Sequence, residues 1–246
     1  MLLATKYAIK TVEWVKAMWG VILSSTALIS NVPLSCLGDE QTKLAQSVPF
    51  SAALLQALAS SLLIARTTDV EIVLYVVLKG LITGWMHDDG LADCADVSVK
   101  RLTRKLSALK RWGISAFGGN ILIANFLLEW VVLKQLERIR LVEISSASVA
   151  VGYFSMMWHW RTMNHAYDRT VRKPTRINLI LHGLLLTLGL CLLLGNGALL
   201  VTAVMQTALL TAFNVWASKK LKGFTGDSLG AIKKLSEITS LLSLGV

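Results

Sequence analysis

Charge is scarce in this 246-residue chain and unevenly placed: only 16% of residues are Asp, Glu, Lys or Arg, against roughly a quarter in soluble domains. None occurs from Ala17 to Gly38, from Leu44 to Ala65, from Trp112 to Leu128 or from Ile177 to Ser218. Such gaps exclude an ordinary soluble domain, because a helix crosses a bilayer with about 20 mostly apolar residues. The last gap holds two such lengths, parted at Gly195-Asn196-Gly197 and interrupted only by His182. Cysteine is scarce too. Cys36, Cys94 and Cys191 stand far apart, which excludes a metal or redox spacing and reads as free thiols. Linkers, repeats and low-complexity runs are missing, as is the alternation of about ten residues that marks a membrane barrel.

What is present is apolar. Hydrophobic residues make up 54% and the mean hydropathy is +0.59. Seven hydrophobic segments are expected, at about 17–37, 45–65, 70–86, 112–133, 143–159, 177–195 and 197–217. Backbone groups in lipid must be satisfied internally, so these segments predict helices. The fold class is therefore all-α: a polytopic transmembrane bundle with amphipathic cytoplasmic helices, forming a single integral membrane domain over 1–246. Lys79 interrupts the third segment, and the fifth is rich in small residues suited to close helix packing. Trp85, Trp112, Trp158, Trp160 and Trp216 fall near segment ends, where an interfacial belt belongs. Most Lys and Arg residues collect in 39–43, 87–111, 160–176 and 218–234, which assigns those loops to the cytoplasmic face. The net charge of +10 then reflects basic loops beside a lipid bilayer and calls for no nucleic acid. An oligomer is compatible with such a chain.

One segment concentrates the chemistry. Residues 87–96 read His87-Asp88-Asp89-Gly90-Leu91-Ala92-Asp93-Cys94-Ala95-Asp96, directly after a hydrophobic run. In a helix Asp89, Asp93 and Asp96 share one face, and Leu91 and Ala95 lie opposite. Carboxylates this close repel unless a cation lies between them, and hard oxygen ligands completed by substrate phosphates are what Mg²⁺ prefers. The plain alternative is the solvated acidic start of an amphipathic helix.

The pattern His-x-Asp-Gly-Leu-Ala-Asp-x-x-Asp resembles the signature of the cobalamin synthase (adenosylcobinamide-GDP ribazoletransferase) family. Thr225-Gly226-Asp227-Ser228-Leu229-Gly230-Ala231, with Glu237 after it, resembles that family's second signature. Pro33 and Pro49 stand where the family has prolines. The resemblance implies a magnesium-dependent transferase of the inner (cytoplasmic) membrane of a bacterium or archaeon, acting in the last steps of cobalamin assembly. Its implied substrates are adenosylcobinamide-GDP and α-ribazole or its 5′-phosphate, and GMP is released. Asp89, Asp93 and Asp96 are implied as metal ligands, Asp227 as a further catalytic acid, and Thr225 and Gly226 as substrate contacts. His87 is a ligand, a base or a polar neighbour.

The chain also departs from the family. Arg111-Trp112-Gly113 stands where Asp-Ser-Arg is usual, Asn31 replaces an Arg before Pro33, Gly152-Tyr153 replaces a Ser-Arg pair, and Lys234 replaces an acid. Arg111, Arg161, Arg169 or Arg172 is expected to supply the lost phosphate contacts, Arg111 and Arg161 first among them. Two other readings follow from these departures: an inactive partner or scaffold of the same fold, and a CDP-alcohol phosphatidyltransferase-like enzyme. Against the latter, Asp93 stands where that group carries Arg.

Overall fold

A computed structural model describes residues 68–99, 114–167 and 196–245, with scattered positions from 173 to 187. Six helices organise them: α1 (Asp69–Thr83), α2 (Met86–Val99), α3 (Ala116–Gln135), α4 (Arg138–Thr162), α5 (Asn196–Lys220) and α6 (Gly226–Gly245). The described residues contain no strand, only an isolated bridge between His165 and Phe224. The expected segments at 17–37 and 45–65, and most of 177–195, lie outside the described residues.

Local chemistry explains the first break. Thr68 caps α1: the Glu71 amide donates to Thr68 Oγ1 at 3.4 Å, and the Thr68 amide donates back to Glu71 Oε2 at 3.3 Å. The helix stops where Gly84 and then Trp85 adopt left-handed backbone, φ 59° and 58°. A bulky residue there costs about 1–2 kcal/mol. The Trp85 indole offsets this by lying flat on Gly80, where any side chain would collide with it. The chain turns through 85° into α2. The hydrophobic run at 70–86 is therefore α1 and the corner that ends it, and the acidic motif follows on α2.

Helices α3, α4 and α5 are long and apolar enough to cross a membrane, and α1 with α2 passes the same test as a bent pair. Among the described residues that makes three candidate spans, or four with the bent pair. α4 lies mostly inside the bundle, while α3 and α5 turn Ile123, Leu127, Val201 and Val204 outward. The centre belongs to α6, which packs on α2, α3, α4 and α5. Hydropathy hides this helix, since it carries Lys233, Lys234, Ser236, Glu237 and Ser240, all buried. Contact with α4 is close: a Cβ on Gly152 would stand 2.8 Å from the Lys233 carbonyl oxygen. α5 is pinned to α6 by Gln206, whose amide donates to Ser236 O at 2.9 Å and Ser240 Oγ at 2.8 Å.

The charges in this core are matched. Lys79 of α1 pairs with Glu129 of α3 and, at 2.5 Å, with Glu237 of α6. Glu237 also holds Lys233 at 2.5 Å, while Lys234 reaches Asp88 of α2 at 2.9 Å and Glu129 at 3.9 Å. Three ammonium groups and three carboxylates thus cancel, as burial in a low dielectric demands. Lys233 and Lys234, expected in a basic cytoplasmic loop, belong to this network.

Candidate functional site

Two glycines set the site by interlocking α2 and α6. A Cβ on Gly90 would stand 2.6 Å from the Asp227 carbonyl oxygen, and one on Gly230 would stand 3.1 Å from the His87 Cα. Each glycine thus receives the other helix's backbone, so the two acidic motifs start side by side. Beneath them Leu91 and Cys94 of α2 pack with Val149, Tyr153 and Met156 of α4, Phe213 of α5 and Ala231 and Ile232 of α6. That apolar floor forces the polar face of α2 outward.

Asp89 is exposed, and Asp93 and Asp227 are half-buried. Burial raises the Asp227 carboxyl above the usual carboxylate range, and the negative charge of Asp89 raises it further. These acids therefore share one electrostatic neighbourhood across the helix contact. Among the described residues no three His, Cys, Asp or Glu side chains are grouped to hold a metal ion unaided. A shared ion needs less: magnesium commonly takes one or two carboxylates and fills its remaining positions with water and substrate phosphates. Asp89, Asp93 and Asp227 offer that donor chemistry.

Asp96 is placed differently. Its carboxylate accepts from the amides of Ser115 at 2.9 Å and Gly118 at 2.8 Å, and from the Ser115 hydroxyl. It is buried at the N-terminus of α3, whose free amides and positive dipole end it satisfies. His87 also points inward, with Nε2 3.1 Å from the Tyr153 hydroxyl and the two rings edge to face. Thr225 is buried and caps α6, receiving the Ser228 amide on Oγ1 at 3.1 Å, while Gly226 is exposed with open space around it. Arg161, at the end of α4, is half-buried, and its Nε has no hydrogen-bond partner among the described residues. Arg111 lies outside the described residues.

Sequence reasoning missed the group that fixes the second motif. His159 of α4 is fully buried, with Nδ1 2.5 Å from Asn214 Oδ1 of α5 and Nε2 3.1 Å from Ser228 Oγ. Ser228 in turn accepts from the Thr225 amide at 2.8 Å. One imidazole therefore ties two long helices to the turn that carries Asp227. A histidine inside an apolar run was the available signal, since such a group needs partners for both ring nitrogens.

Comparison with known proteins finds relatives along most of the chain. The cobalamin-5-phosphate synthase family matches residues 21–245. Among curated relatives, the adenosylcobinamide-GDP ribazoletransferase of Rhizobium etli (strain CIAT 652) is 28% identical, covering 82% of this chain and 85% of the relative. That of Shewanella pealeana is 31% identical, covering 72% and 74%, and that of Allorhizobium ampelinum is 27% identical, covering 90% and 95%. No solved structure matches the chain. With the match running through both acidic motifs and nearly the whole length, the chain belongs to the cobalamin-5-phosphate synthase family.

Proposed function

We propose that this protein is an adenosylcobinamide-GDP ribazoletransferase of the cytoplasmic membrane. It joins α-ribazole, or its 5′-phosphate, to the cobinamide-linked phosphate of adenosylcobinamide-GDP. The ribose hydroxyl forms the new P–O bond, the P–O bond to the nucleotide breaks, and GMP leaves. The interlock of Gly90 with Asp227 and of Gly230 with His87 carries this reading, because it sets the acids of α2 beside the acid of α6. One or two of Asp89, Asp93 and Asp227 would hold a magnesium ion, with water and the diphosphate completing its shell. When bound, the ion supplies positive charge against the diphosphate and the departing GMP. Asp96 shapes the site from behind by holding the start of α3. Arg161, at the end of α4, and Arg111 are assigned the contacts to phosphate oxygens in this reading. The chain crosses the membrane seven times in this reading, with both motifs on the cytoplasmic side.

The test is release of GMP from adenosylcobinamide-GDP by the purified protein in detergent, with α-ribazole and Mg²⁺ and then with EDTA. GMP formed only with the metal and with both substrates is the expected result. A folded protein that releases none would leave the inactive-scaffold reading standing.

A further inference from the structure

A row of aromatic rings runs from the core to the edge of the acidic site. Trp160, at the end of α4, is buried, and its ring centroid lies 6.2 Å from that of buried Phe224. Phe224 meets His165 edge to face at 5.0 Å, and His165 meets Tyr167 at 6.1 Å. Tyr167 ends the row with 60% of its surface exposed.

Backbone pairing fixes where this last ring stands. The Phe224 amide donates to Asn164 O at 2.9 Å, and the Ala166 amide donates to Phe224 O at 2.9 Å. Gly223 makes the pairing possible, because a side chain there would run into the backbone of Asn164 and Ala166. The Tyr167 amide donates to His165 Nδ1 at 3.3 Å, which fixes the imidazole beside the Tyr167 backbone. Tyr167 therefore follows a residue bonded to Phe224, and Phe224 lies three positions before Asp227. Burial raises the Tyr167 hydroxyl's proton affinity, and the nearby Asp227 charge raises it again.

A single exposed aromatic ring is ordinary. This one is backed by three further rings, held by its neighbours' backbone, and set beside the acids that the proposed function gives to a nucleotide diphosphate. We infer that Tyr167 is the stacking platform for the flat nitrogen heterocycle of a nucleotide substrate whose phosphate lies at Asp89 and Asp227. The inference rests on that functional reading. Both substrates of the proposed reaction carry such a ring, guanine in one and a benzimidazole in the other, and the same platform chemistry serves either.

Equilibrium binding to the full chain in nanodiscs tests it, with GDP and α-ribazole 5′-phosphate as separate probes in Mg²⁺. Y167F and Y167W keep a ring, and both should bind within about twofold of the parent. Y167A and Y167L remove it, and should weaken one of the two probes by about ten- to one hundred-fold. The probe that weakens names the base that stacks. Equal affinity for both probes in all four variants would overturn the inference. Mn²⁺ binding, followed by electron paramagnetic resonance, reads the acids independently. It should survive in Y167A and fall in D227N. If the parent binds no Mn²⁺, the metal reading fails alone, and the contrast between Y167L and Y167F still decides the role of the ring.

Discussion

Asp88 and Asp89 are neighbours in sequence and opposites in role, because a helix turns successive side chains about 100° apart. Asp89 faces out beside Asp227, whereas Asp88 turns into the bundle and pairs with Lys234 at 2.9 Å. D89N should reduce Mg²⁺-dependent turnover by more than the roughly 10- to 100-fold typical of supporting groups around a metal, with thermal stability unchanged. D88N should do the reverse. It leaves Lys234 with only the more distant Glu129, costing about 1–3 kcal/mol in stability, seen as earlier melting with turnover within a few-fold. Asp96 yields the second contrast. Three hydrogen bonds tie it to the start of α3, so D96N should lower stability by about 1.5–3 kcal/mol while Mn²⁺ affinity stays within a few-fold. A D96N protein that melts normally but loses the metal would return Asp96 to the metal set.

Between elements, the contact of α2 with α6 has no room to spare. G90A should push the Asp227 backbone away, costing about 1–3 kcal/mol by overpacking and lowering kcat more than it raises KM. G197A is the control, since a Cβ there meets nothing within 4 Å. Helical circular dichroism should be unchanged in both, and equal activity would sink the interlock as the basis of the site. How much of this was legible differs by element. The helix at 86–99 could be read from the spacing of Asp89, Asp93 and Asp96, the spans α3 and α5 from their missing charges, and α4 from its apolar run rich in small residues. The assignment of Asp96 to α3 could not, because Ser115 is 19 positions away and local spacing is blind to such pairs. Nor could the buried course of α6. Hydropathy scores Lys233, Lys234 and Glu237 as water-loving, and partners on other helices let such charges go inside, Asp88 for Lys234 and, 158 positions away, Lys79 for Glu237.

For the whole molecule, the matched charges tie α1, α3 and α6 together beside an apolar cluster that the three helices share. Removing one member strands the others, so K79M should cost about 3–5 kcal/mol, and K79M/E129Q should cost less than the sum of its singles. The helix interlock also constrains topology. Gly90 touches the Asp227 backbone, so the beginnings of α2 and α6 cannot be separated by a membrane. The bend of 85° before α2 allows this, since the chain turns at Gly84 and Trp85 and need not carry the acids across. Basic residues flank both motifs, Lys100 and Arg101 after the first and Lys219, Lys220 and Lys222 before the second, which is why the proposed function puts the shared end in the cytoplasm. Single cysteines at Ser98 and Lys222, both exposed, in a background without Cys36, Cys94 and Cys191, test this directly. In right-side-out vesicles neither position should react with a membrane-impermeant maleimide, and in inverted vesicles both should. Reaction of one position in each orientation would split the two motifs across the bilayer and remove the shared site. Reaction of both from outside would keep the site whole and overturn only its cytoplasmic placement.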